Sequence, residues 1–88
     1  MSCYRVTVHG RVQGVWYRES CQREAVAAGI AGWVRNNADG TVEAVVEGES
    51  QAVDRVIAWM RQGPPSALVR CVEVSAETPT GLQGFSVR

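Results

Sequence analysis

The chain has little of what marks many protein classes. It contains no Cys-x-x-Cys pair and only one histidine, His9. Its three cysteines, Cys3, Cys21 and Cys71, are odd in number and widely spaced. That spacing argues against a zinc site and reads as reduced thiols in a cytoplasmic protein. No apolar run approaches the roughly 20 residues needed to span a bilayer, so no membrane partner is expected. No charged-then-apolar leader opens the chain, and no secretory signal is expected. Neither sign of charge is in excess: nine basic and nine acidic residues give a formal net charge of zero. A general nucleic-acid binder usually shows a basic excess, so that class is set aside, although a local positive pocket is not. Internal repeats, low-complexity tracts and a central linker are absent as well.

What is present is the composition of a small globular protein, 45% hydrophobic and 20% charged over 88 residues. That length predicts a single domain, residues 1–88, with a small core. Tyr4 to Val12 alternates: Tyr4, Val6, Val8, Gly10 and Val12 share one face, and Arg5, Thr7, His9 and Arg11 the other. This is a half-buried strand. His9 falls on its outer face, where a solvated strand histidine is a simpler reading than a catalytic one. A helix is predicted from about Arg18 to Ala28, with Cys21, Ala25 and Ala28 at helical spacing and Gly29 as the stop. Cys21 shares its stripe with alanines and reads as core rather than as a nucleophile. Ile30 to Asn36 and Thr41 to Gly48 read as two strands joined by a hairpin at Asp39-Gly40. Glu43 and Glu47 fall on the outward face of the second. Ser50 is the expected cap of a second helix over 51–62, whose apolar stripe is Val53, Val56, Ile57 and Met60. Met60 reads as core, and Trp59 lies off the stripe. Gly63-Pro64-Pro65 ends that helix, a fourth strand runs from Val69 to Ser75, and Phe85-Ser86-Val87 forms a short last one.

This order predicts an α+β fold. It is a ferredoxin-like βαββαβ sandwich with a short C-terminal strand, its two helices on one face of a mostly antiparallel sheet. Strands one and two, joined by a helix, run parallel, so their C-terminal ends share one edge of the sheet. The loop Val12-Gln13-Gly14-Val15-Trp16-Tyr17-Arg18 leaves the first of these ends, and Asn36 sits at the second. With one strand between them, the gap is about 10 Å. If the chain curls at Gly14, the N–H groups of Val15, Trp16, Tyr17 and Arg18 converge on one point. The helix dipole and the Arg18 guanidinium favour an anion there. The Walker pattern is missing, so this is not a P-loop.

Gly10-Arg11-Val12-Gln13-Gly14-Val15-Trp16-Tyr17-Arg18 resembles the first signature of the acylphosphatases. Gly32-Trp33-Val34-Arg35-Asn36, followed by Asp39-Gly40-Thr41-Val42-Glu43, resembles the second. Their spacing and the Gly84-Phe85 pair also match, and the likeness covers essentially the whole chain. The resemblance implies a hydrolase that splits acyl phosphates into a carboxylate and inorganic phosphate. Arg18 would bind the phosphate and Asn36 would position the attacking water. The loop of Gln13, Gly14, Val15, Trp16, Tyr17 and Arg18 would cradle the phosphoryl oxygens. It implies a small-molecule substrate and neither metal nor cofactor. A monomer is the simplest expectation. Tyr17 stands where the family most often has phenylalanine, and its hydroxyl needs a partner or solvent. Trp16 occupies a variable position, where it either flanks the pocket mouth or covers the loop.

Two other readings compete. One is a non-catalytic acylphosphatase-like domain that binds phosphate or carbamoyl phosphate, as occurs within a hydrogenase-maturation factor. The other is a ferredoxin-like RNA-binding module, which would need surface aromatics on central strands and a basic face. Arg5, Thr7, His9, Arg11, Glu43 and Glu47 on the outer strand faces do not supply them.

Overall fold

In the computed structural model, which describes residues 1–88, the valine alternation near the N-terminus forms β1, Ser2–Arg11. It is followed by α1 (Tyr17–Ala27), β2 (Ala31–Asn36), β3 (Val42–Gly48), α2 (Ser50–Gln62), β4 (Leu68–Ala76) and β5 (Phe85–Val87). The sheet order is β4-β1-β3-β2-β5, with β2–β5 parallel and the other pairs antiparallel. This is the expected ferredoxin-like plan. Because β1 and β2 both pair antiparallel with β3, they run in the same direction, and their C-terminal ends meet one edge.

One face of the sheet carries the core. Val6, Val8, Val34, Val42, Ala44 and Val46 are fully buried there. Against them pack Cys21 and Ala25 from α1 and Val53, Val56 and Met60 from α2. Small residues on α1 let it lie close to the strands. Met60 is core, as its spacing predicts, and Trp59 is half-buried with its ring 5.4 Å from that of Tyr17. Gly29, at φ 73°, follows the last turn of α1 in the left-handed conformation expected of a helix stop.

Two details differ from the sequence expectation, and a third lies outside it. Ser50 does not cap α2: the N-cap is Glu49 in an extended conformation, and the Ser50 hydroxyl instead meets that of Ser2 at 2.6 Å. A partner 48 residues away has displaced the local one. The second difference is Glu47, which lies on the outer face as expected but is only 3% exposed rather than solvated. The segment between β4 and β5 crosses that end of the sheet, and Glu47 accepts the N–H groups of Thr80, Gly81 and Leu82 at 2.9–3.1 Å. The third, on which the sequence pattern makes no statement, is Trp33, a buried aromatic on the outer face. It packs with Cys3, Val45 and Leu82, and Arg5, Arg35 and Arg88 lie over its ring at 4.7–5.6 Å. Each such contact adds about 0.5–1 kcal/mol. Glu43, paired with both Arg5 and Arg35, helps to hold that roof in place. His9 lies on the same outer face as expected, bonded to Glu73 at 2.6 Å.

Candidate functional site

At the edge where β1 and β2 end, the chain between β1 and α1 makes two unusual backbone turns. Gly14 has φ 73°, and no atom lies within 4 Å of where its Cβ would be. Glycine is needed there for conformation, not for space. Trp16, the residue before α1, has φ 67° and ψ 18°, the only non-glycine residue with positive φ. A register shift at His9–Gly10 bends β1 just upstream, where a Cβ on Gly10 would sit 2.1 Å from the Leu68 carbonyl oxygen.

These turns leave a run of main-chain donors without protein partners. None of the N–H groups from Gly14 to Glu19 donates to a main-chain or side-chain acceptor. The first that does is Ser20, to the Trp16 carbonyl at 3.1 Å. A helix start always frees its first N–H groups. Here the run extends back into the loop, and the α1 dipole adds partial positive charge. Arg18 lies in the first turn of α1. Its Nη1 donates to the main-chain oxygen of Arg88, the last residue, at 2.9 Å. Arg88 reaches this edge because β5 runs parallel to β2, and its N–H donates to the Val34 carbonyl at 2.8 Å. Arg18 joins none of the ion pairs, which involve Arg5, His9 and Arg35. Its other nitrogens donate to no protein group and are available to a ligand.

Asn36 is the last residue of β2, in register with Val42. Its Oδ1 is the one buried side-chain oxygen or nitrogen with no hydrogen-bond partner. Asn36, Arg18, Gly14 and Trp16 line a single cleft of about 180 Å³, with Val12 and Tyr17, each 1% exposed, as its floor. The cleft is smaller than the roughly 300–1,000 Å³ of sites for drug-sized ligands.

Of the seven candidate residues, five line this cleft: Gly14, Trp16, Tyr17, Arg18 and Asn36. Two do not. The Gln13 side chain turns to the β2–β3 hairpin, where Nε2 donates to the Asn37 and Thr41 carbonyls at 2.8 and 3.0 Å. It thereby ties the loop to the residue after Asn36. Val15 is buried, and its carbonyl accepts the Ser66 hydroxyl at 2.7 Å. Tyr17 finds the partner its hydroxyl needs: it donates to the Met60 carbonyl at 2.7 Å, satisfying one of the free carbonyls at the end of α2. Burial, with a smaller contribution from Cys21, keeps the phenol protonated far above its ordinary range. Sequence reasoning missed Glu19, which also lines the cleft. An acid in the first turn of a helix reads as a complement to the dipole, so nothing in the pattern singles it out.

The cleft holds no Ser, Cys, His or Lys. Cys21 lies beneath it in the core, its thiol pushed up to about 12 by burial and by Glu24. No three His, Cys, Asp or Glu side chains come together to hold a metal ion. What the arrangement can do is bind an oxyanion by main-chain donors and a guanidinium, beside one unsatisfied amide oxygen.

The acylphosphatase family model matches residues 4–87. An acylphosphatase of Thermococcus kodakarensis is 56% identical over 80 residues, which are 91% of this chain and 88% of that one. The crystal structure of acylphosphatase from Bacillus subtilis superposes with a TM-score of 0.97 at 37% identity, covering 100% of this chain and 99% of that one. The crystal structure of T. kodakarensis HypF matches with a TM-score of 0.86 at 30% identity, over all of this chain but 12% of that one.

Proposed function

The chain belongs to the acylphosphatase family of enzymes, and from that premise we propose that it hydrolyses acyl phosphates through Arg18, the loop N–H groups and Asn36. The phosphoryl oxygens accept from the free N–H groups between Gly14 and Glu19 and from the Arg18 guanidinium. The Asn36 amide binds a water from the cleft and holds its oxygen toward phosphorus. The observation that carries this reading is that Asn36 lines the same cleft as Arg18 with an amide that no protein group engages.

The chemistry asks for little more. The water oxygen forms a bond to phosphorus, and the bond from phosphorus to the acyl oxygen breaks. Its electron pair leaves with the carboxylate. The water's protons end on the phosphate product, so an acyl phosphate dianion and water give a carboxylate and dihydrogen phosphate. A carboxylate is a good leaving group and needs no acid. Positioning and charge stabilisation therefore suffice. No protein base enters this reading; a phosphoryl oxygen takes the water's proton.

We read the 88 residues as one domain acting as a cytoplasmic monomer, a setting that suits three unpaired cysteines. Release of phosphate from acetyl phosphate or benzoyl phosphate tests the activity. The wild type should turn both over, and Arg18→Ala should lose on the order of 100-fold or more in kcat/KM. Near-normal Arg18→Ala activity would sink the role of Arg18. Phosphate binding with no turnover by the wild type would favour the non-catalytic alternative.

A further inference from the structure

The reacting groups account for only part of the cleft. Arg18 and Gly14 serve the phosphoryl group, Asn36 the water, and Val12 and Tyr17 form a buried floor. Two lining residues are left over, Trp16 and Glu19. Resting on the hydrolase reading above, we infer that they form an acyl-binding lip selecting aromatic or apolar acyl phosphates over those carrying a second negative charge.

Three observations support this. First, Trp16 is 71% exposed, so its indole covers almost nothing of the loop. A tryptophan whose task was to shield the loop would be largely buried, as its neighbour Val15 is. Second, Trp16 sits in the left-handed region with φ 67°, which a bulky residue rarely adopts. Such outliers persist where the surrounding structure imposes them, and they gather at ligand sites. Third, Glu19 lines the same cleft and no cationic side chain lies within ion-pair distance of it, so its carboxylate adds negative charge beside the acyl position. The Glu19 charge works against the phosphoryl group, which Arg18 and the free loop N–H groups can overcome. An extra anion on the acyl part has no such compensation.

In-line displacement supplies the direction. Water and leaving oxygen lie on opposite sides of phosphorus. The acyl group therefore departs away from Asn36, and the lining residues left for it are Trp16 and Glu19. An aromatic acyl group meets the indole face, which favours offset or edge-to-face contact.

Acetyl phosphate, benzoyl phosphate and 4-carboxybenzoyl phosphate test this as a set. Benzoyl against acetyl isolates the aromatic contact, and the two benzoyl compounds differ only in charge. Trp16→Asn keeps a main-chain N–H and tolerates the left-handed conformation. It should lower the benzoyl-to-acetyl ratio of kcat/KM about fivefold, and Trp16→Phe should restore most of it. Glu19→Gln should raise the 4-carboxybenzoyl-to-benzoyl ratio about fivefold at low ionic strength. That gain should fade at high salt, as a screened charge effect does and a packing effect does not. The two variants are independent arms. Ratios within about twofold of wild type in both overturn the lip while leaving the hydrolase reading intact. Failure of the wild type to hydrolyse any of the three overturns both.

Discussion

Asn36 carries the one buried side-chain polar atom that no protein group satisfies. Leaving its Oδ1 buried and unpartnered costs about 1–3 kcal/mol. Removing the amide should therefore separate stability from function. Asn36→Ala is expected to melt no lower than wild type, while kcat for acetyl phosphate falls on the order of 100-fold. Inhibition by inorganic phosphate should change far less than kcat, because the proposed mechanism assigns phosphate to Arg18 and the loop. Equal loss of turnover and phosphate affinity would assign Asn36 to binding instead. The neighbouring residues divide by what their side chains touch. Arg18 has one nitrogen committed to the main-chain oxygen of Arg88 and no side-chain carboxylate partner, so the guanidinium is oriented with its other donors free. Gln13 and Tyr17 spend their polar atoms on other elements, at the β2–β3 hairpin and the end of α2. Arg18 and Asn36 were legible in the sequence because motif and topology both placed them. The unsatisfied oxygen was not, since whether an amide finds a partner depends on residues distant in the chain.

At the scale of elements, what holds the site is the fastening of loops to one another. The β2–β3 hairpin is closed by Asp39, whose carboxyl is bonded to both the hydroxyl and the N–H of Thr41 and is held below its ordinary value by them. Gln13 then clamps that hairpin to the β1–α1 loop, which fixes Asn36 relative to Arg18. At the opposite end of the sheet, Glu47 fastens the segment that leads into β5, and β5 delivers Arg88 to Arg18. The N–H of Thr80, followed by those of Leu82 and Gly81, holds the Glu47 carboxyl below its ordinary 4.5. A depressed native value means that the charged form stabilises the fold at pH above the ordinary value. That contribution is lost as pH falls through the depressed one. Glu47→Gln should therefore lower the melting temperature at pH 7, and the difference from wild type should close below about pH 4. Protease nicking between residues 77 and 84 at pH 7 should rise in parallel. A constant difference across the whole range would mean that shape, not charge, is what Glu47 contributes. Alternation placed Glu47 correctly on the outer face. Its burial was illegible because the covering segment has no regular pattern to read.

For the whole molecule, one layer of helices on one side of a five-stranded sheet leaves the thiols in three environments. Cys21 is in the core and Cys3 is buried on the outer face, where burial and then Glu47 push its thiol up. Cys71 is exposed on β4. A thiol reagent such as Ellman's should label Cys71 rapidly in the native protein, and Cys3 and Cys21 only on unfolding. Prompt labelling of two or three thiols would contradict this packing. The sequence by itself determined the order of elements and the core face. Hydrophobic period and turn residues are local properties, and 3.6- and 2-residue repeats leave few ways to bury their apolar faces. It also determined that a glycine turn and an arginine stand at the start of α1, opposite an asparagine. Tertiary structure alone decided which polar groups are satisfied. Ser50 found Ser2, Glu47 found residues 80–82, Tyr17 found Met60, and Asn36 Oδ1 found no protein group. It decided as well that Trp16 and Glu19 share the cleft with Arg18. Hydrogen-bond satisfaction and cleft shape depend on contacts between residues far apart in the chain, and no local repeat encodes them.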